Sequence, residues 1–296
     1  MRKFIAAALL LSPLFAVAKV PVVASFSIVA DITREIGGDK VEVQSLVGAD
    51  QDAHVFQPAP ADVKKLAAAK VFVVSGLGFE GWMPRMSRAA GFKGLTVTAG
   101  GKVKALATAE EEGHHEHDGH EHGSVDPHAW HNPQNVMLYA DAIADGLAKA
   151  DPAGAGYFRL RADAYKAKLK ALDAWAAQQF ATVPAARRKV LTSHEAFGYL
   201  AARYQIRFMA PQGISTEAEA SAKAVARLIL QVKKEQVKAV FFENMADKRL
   251  LQQLSNEAGV KVGGKLYADA LSSDGKAGSY LQLFRSNVDT LLSAMR

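Results

Sequence analysis

The sequence predicts an α/β protein of two lobes, each a (β/α)4-type unit with a parallel sheet, joined by one long rigid helix. Three observations lead there. Short apolar runs alternate with amphipathic stretches along most of the chain, as parallel β/α units require. A helical stretch from Pro152 to about Thr182, bounded by Pro152 and Pro184, spans ~45 Å at 1.5 Å per residue, more than one small lobe needs. The strand and helix pattern before that stretch is repeated in outline after it, without a sequence repeat clear enough to indicate duplication.

In order, Val20 to Phe26 reads as a strand and Ser27 to Ile36 as a helix with Val29, Ile32 and Ile36 on one face, stopped by Gly37-Gly38. Val41 to Val47 is the next strand, with His54 shortly after it. Pro58 and Pro60 lead into a helix from Ala61 to Ala69, and Val71 to Val74 is a third strand ended by Gly76-Leu77-Gly78. A helix near Gly81 to Ala90 and a strand near Leu95 to Thr98 complete the first lobe. Helices from Pro133 to about Lys149 and from Pro152 follow. The second lobe reads as strand Lys189 to Thr192, helix from Glu195, strand Ile206 to Ala210, helix Ser221 to Lys234 and strand Val237 to Phe242. A helix Asp247 to Ala258, a strand Lys261 to Tyr267 and a helix Ser279 to Arg296 close it.

The first residues carry the three parts of a secretory leader: Arg2-Lys3, an apolar run from Phe4 to Val17, and the small-x-small triplet Ala16-Val17-Ala18. The run is shorter than the ~20 residues a bilayer requires, so cleavage after Ala18 is expected rather than anchoring. The chain thus divides into a leader (1–18), an N-terminal lobe (19–150) containing a histidine-rich loop (113–123), a connecting helix (151–183) and a C-terminal lobe (184–296). The absence of cysteine excludes disulfides, thiolate ligands and a lipidated cysteine. An exported, untethered protein points to a periplasm. A net charge of +6, about +4 without Arg2 and Lys3, is too mild to imply nucleic acid.

His54, His194 and Asp269 each follow a strand, and His128 lies in the loop before a helix. In open α/β sheets ligands bind beyond the carboxyl ends of strands, so facing lobes would bring these four together. Three imidazoles and one carboxylate suit Zn²⁺ in a tetrahedron. Asp52 and Asp126 each precede a histidine by two residues; either can brace its imidazole, but both read more naturally as turn or helix-cap carboxylates. His131 reads as an ordinary exposed histidine. The loop from Gly113 to Gly123, with five histidines, reads as a weak, multi-site metal binder.

Six motifs then stand together: Asp52-Ala53-His54-Val55-Phe56-Gln57-Pro58, Gly76-Leu77-Gly78-Phe79-Glu80-Gly81-Trp82, Asp126-Pro127-His128-Ala129-Trp130, Ser193-His194-Glu195-Ala196-Phe197, Gly213-Ile214-Ser215 and Tyr267-Ala268-Asp269. With them the mature chain resembles the metal-specific substrate-binding proteins of ABC importers for zinc and manganese, the cluster of zinc-uptake and treponemal metal-binding proteins. The resemblance implies metal held between the lobes by His54, His128, His194 and Asp269, and delivery to a membrane permease, with room for a periplasmic chaperone and no need of an oligomer. His194 stands where manganese binders of that family carry Glu, which implies zinc. Where this chain has His131 and Asn132, the family more often shows an aliphatic residue and Asp. Two other readings share the site: a zinc hydrolase with a His₃ centre, Glu195 as its base, and a zinc-buffering or adhesive surface protein. Against the hydrolase, no HExxH motif is present, and Asp269 would close the fourth position.

Overall fold

The computed structural model describes residues 18–108, 125–246 and 248–296. The leader apart from Ala18, and the histidine-rich loop, lie outside them.

In the first lobe, β1 (Val20–Phe26) is buried at every position but Pro21 and occupies the interior of a four-stranded parallel sheet. Proline is tolerated there because pairing with β3 (Val71–Val74) begins one residue later, at Val22↔Val71. β2 (Val41–Val47) and β4 (Leu95–Thr98) complete the order β2-β1-β3-β4. Helices α1 (Ser27–Gly37), α2 (Pro60–Ala68) and α3 (Met83–Ala90) connect the strands. Gly38, at φ 55°, turns the chain out of α1 at an angle few other residues accept.

A short antiparallel pair, β5 (Leu106–Ala107) with β6 (Val125–Asp126), brackets the histidine-rich loop. α4 (Pro133–Ala150) starts at Asn132, whose Oδ1 accepts the Gln134 N–H at 2.9 Å, so the amide serves as the cap without a charge.

α5 (Ala155–Ala181) is the long helix, 27 residues or ~40 Å. Phe158, Ala162, Tyr165, Leu169, Leu172, Ala176 and Phe180 recur at spacings of three or four, forming one buried stripe along its length. Its first half is tied to the first lobe, where Tyr157 donates to Asp39 and Arg161 to the Glu35 carbonyl. Its second half is tied to the second. Asp173 there accepts two hydrogen bonds from Arg203 and one from Tyr204, while Gln134 of α4 reaches it at 3.1 Å. Burial alone would raise the Asp173 pKa, but these bonds outweigh it and hold it low.

The second lobe contains β7 (Lys189–Leu191), α6 (Gly198–Tyr204), β8 (Arg207–Met209), α7 (Ala222–Lys234), β9 (Ala239–Glu243), α8 (Lys248–Ala258), β10 (Lys261–Leu266) and α9 (Tyr280–Met295). Its parallel sheet runs β10-β9-β7-β8, the same order as the first lobe when each lobe's strands are counted from its own first. α6 begins three residues later than expected from Glu195, because residues 192–197 form the bend that carries His194. One large core, including Phe26, Trp130, Tyr139, Phe158, Phe180 and Phe284, is continuous across both lobes, and a smaller one around Val240 and Leu254 lies under α7 and α8.

Candidate metal centre

Four side chains from four separate segments converge between the lobes. His54 comes from the loop after β2, His128 from the turn after β6, His194 from the bend after β7 and Asp269 from just beyond β10. One ligand atom from each lies within 4.8 Å of the others. His54 Nε2 is 3.2 Å from His128 Nε2 and 3.3 Å from Asp269 Oδ2; His194 Nε2 is 3.1 Å from Oδ2, and His128 Nε2 is 3.6 Å from Oδ1. A tetrahedral ion with bonds of ~2.0 to 2.1 Å has edges of ~3.3 Å, so the cage fits such an ion. His54 is 9% exposed and the other three are fully buried.

The orientation of two imidazoles is fixed from behind. Asp126 Oδ1 accepts both the backbone N–H and the Nδ1–H of His128, at 2.9 and 2.8 Å. Glu243 Oε1 accepts the backbone N–H groups of Ser193 and His194, while Oε2 accepts Nδ1–H of His194 at 2.5 Å. A carboxylate only accepts, so in both rings Nδ1 carries a proton and Nε2 is the nitrogen turned to the centre. Asp126 is the turn carboxylate expected, accepting the His128 N–H, and it also takes the other role the sequence offered by bracing the His128 ring. Asp52 is the turn carboxylate expected, accepting the His54 N–H at 2.9 Å.

In the second lobe's parallel sheet the order of strand connection reverses between β7 and β9, and His194 and Glu243 stand at the carboxyl ends of those two strands. In the first lobe that order reverses between β1 and β3, where buried Glu80 accepts from Ser25 Oγ and from the N–H groups of Ser75 and Gly76. Phe79 and Trp130 wall the site, with Phe79 4.8 Å from the His54 ring and Trp130 5.3 Å from that of His128. Trp130 Nε1 also donates to the Ala268 carbonyl at 2.9 Å, joining the first lobe to the residue before Asp269.

Both Asp269 oxygens and His194 Nε2 are buried without a hydrogen-bond partner, a costly arrangement for a carboxylate unless a cation shares the space. Burial would raise the Asp269 pKa, but His194 and His128 outweigh it and hold it well below the usual carboxylate range. Burial would lower that of His194, but Glu243 and Asp269 outweigh it and raise it well above the usual imidazole range. Both shifts favour the charged forms of these two facing groups, which lie 3.1 Å apart.

His131 does not behave as the sequence suggested. It is fully buried, 4.5 Å from the Phe197 ring, and neither ring nitrogen has a partner at hydrogen-bond geometry. Burial, with His128 beside it, pushes its pKa down to about 3. Glu195 is exposed and outside the cluster of four, and its backbone N–H donates to Gly213 O at 3.1 Å. Glu243 was missed by the sequence reading; the signal was an acid ending the apolar run Ala239-Val240-Phe241-Phe242.

Residues 22–294 match the family described as zinc-uptake complex component A, periplasmic. The manganese-binding lipoprotein MntA of Halalkalibacterium halodurans is 30% identical over 275 residues, covering 93% of this chain and 88% of that one. The iron-binding protein YfeA of Yersinia pestis is 32% identical, covering 92% and 85%. Among solved structures, the periplasmic zinc-binding protein TroA of Treponema pallidum superposes with a TM-score of 0.86 at 27% identity, covering 94% of this chain and 99% of that one. The Mn-bound periplasmic metal-binding protein of Candidatus Liberibacter asiaticus gives 0.81 at 27%, covering 94% and 100%. The ions named differ from one relative to the next.

Proposed function

The chain belongs to the zinc-uptake component A family, substrate-binding proteins that serve the permeases of metal ABC importers rather than enzymes, and we propose from that premise that its cargo is Zn²⁺. In this reading His54, His128, His194 and Asp269 hold the ion in the periplasm until it is handed to the permease.

The observation that carries the choice of metal is the donor set. Three imidazoles and a single carboxylate, with four ligand-to-ligand spacings of 3.1 to 3.6 Å, suit a small borderline ion in four-coordination better than the oxygen-rich octahedron favoured by manganese. One carboxylate against Zn²⁺ leaves +1 at the centre, which Asp126 and Glu243 behind the histidines more than offset. Capture requires only that the Nε2 lone pairs be free and that His194 give up its proton. Delivery requires the reverse, so apart from metal-ligand bonds the change at the site is the loss and return of a proton.

The test is elemental analysis of the purified protein followed by Zn²⁺ and Mn²⁺ competition, with X-ray absorption of the loaded form. One zinc per chain with three imidazoles and one carboxylate is the expected result. Manganese bound as tightly as zinc would overturn the choice of metal; an open, water-bearing His₃ site with Asp269 remote would overturn the ligand set.

A further inference from the structure

Two of the three histidines are braced by a carboxylate on the far ring nitrogen, and His54 is not. Its carboxylate contact among the described residues is from Nε2 to Asp269 rather than from Nδ1, it is the least buried of the four, and it rides on a loop rather than at the end of a core strand. The first lobe grips that loop through Trp82, whose Nε1 donates to the Ala53 carbonyl at 3.0 Å.

Most of the remaining grip comes from the opposite lobe. Asp52 accepts the His54 N–H with one oxygen and the Thr216 hydroxyl with the other, at 2.9 and 2.7 Å. Asp50 accepts Asn244 Nδ2 at 2.8 Å and the amide and hydroxyl of Ser273 at 2.9 and 2.5 Å, and its own N–H donates to the Leu271 carbonyl at 2.9 Å. The Asp50 backbone lies at φ 55°, a left-handed conformation uncommon outside glycine and here held by those cross-lobe bonds. Asn244 directly follows Glu243, which braces His194, so this contact runs between the supports of two ligands.

On the reading that these four residues hold the metal, we infer that Asp50 and Asp52 are positioning residues that clasp the His54 loop to the second lobe, and that His54 is the ligand that leaves first on release. Breaking the clasp frees the loop to withdraw the one imidazole that has no carboxylate behind it, while the other three ligands stay fixed. Two clefts, of about 600 and 440 Å³, both reach His54 and give the ion its way out.

The experiment is stopped-flow removal of metal from the loaded full-length protein by excess chelator, run with Zn²⁺ and with Mn²⁺. Hydrogen bonds to a charged group are each worth about tenfold or more in an equilibrium, so Asp50→Asn and Ser273→Ala should speed dissociation about tenfold, with association within about threefold of wild type. Asn244→Ala should act likewise, and Ser273→Thr, which keeps the hydroxyl, should restore the wild-type rate. The double variant Asp50→Asn/Ser273→Ala should add little to the larger single effect, because both break one clasp. Dissociation within about twofold of wild type in all these variants, or fully additive effects, would overturn the inference. Manganese held as tightly as zinc, but released faster by the same variants, would overturn the zinc reading and leave the clasp standing.

Discussion

Glu243 Oε2 sits 2.5 Å from His194 Nδ1, both groups fully buried, and this pair determines that Nε2 is the nitrogen of His194 turned to His54, His128 and Asp269. Glu243→Gln can keep the backbone contacts through its carbonyl oxygen, but its amide then turns N–H toward Nδ1. The imidazole must flip its proton to Nε2 or rotate, and either loses a ligand. Zinc affinity should fall about 10- to 100-fold with the far-UV spectrum unchanged, measured by competition with a chromophoric chelator. Wild-type affinity in this variant would show that the carboxylate does not set the tautomer.

The same pair sets the pH dependence. His194 keeps its proton well above the usual imidazole range, and zinc needs the lone pair that proton occupies. Affinity should therefore fall with falling pH, beginning well above the reference value of ~6.5. Metal-free stability has the opposite sign. A raised folded pKa contributes stability that is complete below ~6.5 and is lost as pH climbs through the folded value. Calorimetry in two buffers of different ionisation enthalpy should show proton release on zinc binding; a pH-independent affinity above ~6.5 would refute this.

His131 offers a gain. Its imidazole is neutral in the fold down to about 3, whereas the unfolded chain takes up a proton below ~6.5, so stability present above that value is lost as pH falls through this interval. His131→Leu removes both that loss and an unsatisfied buried polar group, worth ~1 to 3 kcal/mol. The melting temperature of the metal-free protein should rise by several degrees, most at acidic pH, with zinc affinity within about threefold. A lower melting temperature near pH ~5 would mean the ring has a role that burial conceals.

Changing the cargo should take two substitutions. His194→Glu alone sets a new carboxylate beside Glu243 and near Asp269, and buried like charges at that range weaken the site for any ion. Adding Glu243→Gln supplies a donor in place of the repelling charge. The single variant should lose zinc and manganese alike, and the double variant should recover manganese selectively, read by isothermal titration with each ion. Equal recovery of zinc would contradict the assignment of specificity to this position.

Much of the fold is legible locally, because runs such as Val71 to Val74 and the stripe from Phe158 to Phe180 encode their own burial. His54, His194 and Asp269 are legible for the same reason, each following a strand whose pattern is clear. Glu243 is not, since its partner is 49 residues away and the acid looks like an ordinary strand end. His131 misleads because it follows His128 by three residues, yet the turn Ala129–His131 folds all three of its side chains inward. β5 and β6, two residues each, are too short to carry any periodicity.

The long helix has a consequence for traffic. With one face buried from end to end and pinned at Tyr157, Arg161 and Asp173, α5 resists bending, so the lobes can part only as far as the helix tilts. A strut of that kind predicts nearly one outline for empty and loaded copies, so that their small-angle scattering curves should coincide, and empty copies would then compete with loaded ones for a permease.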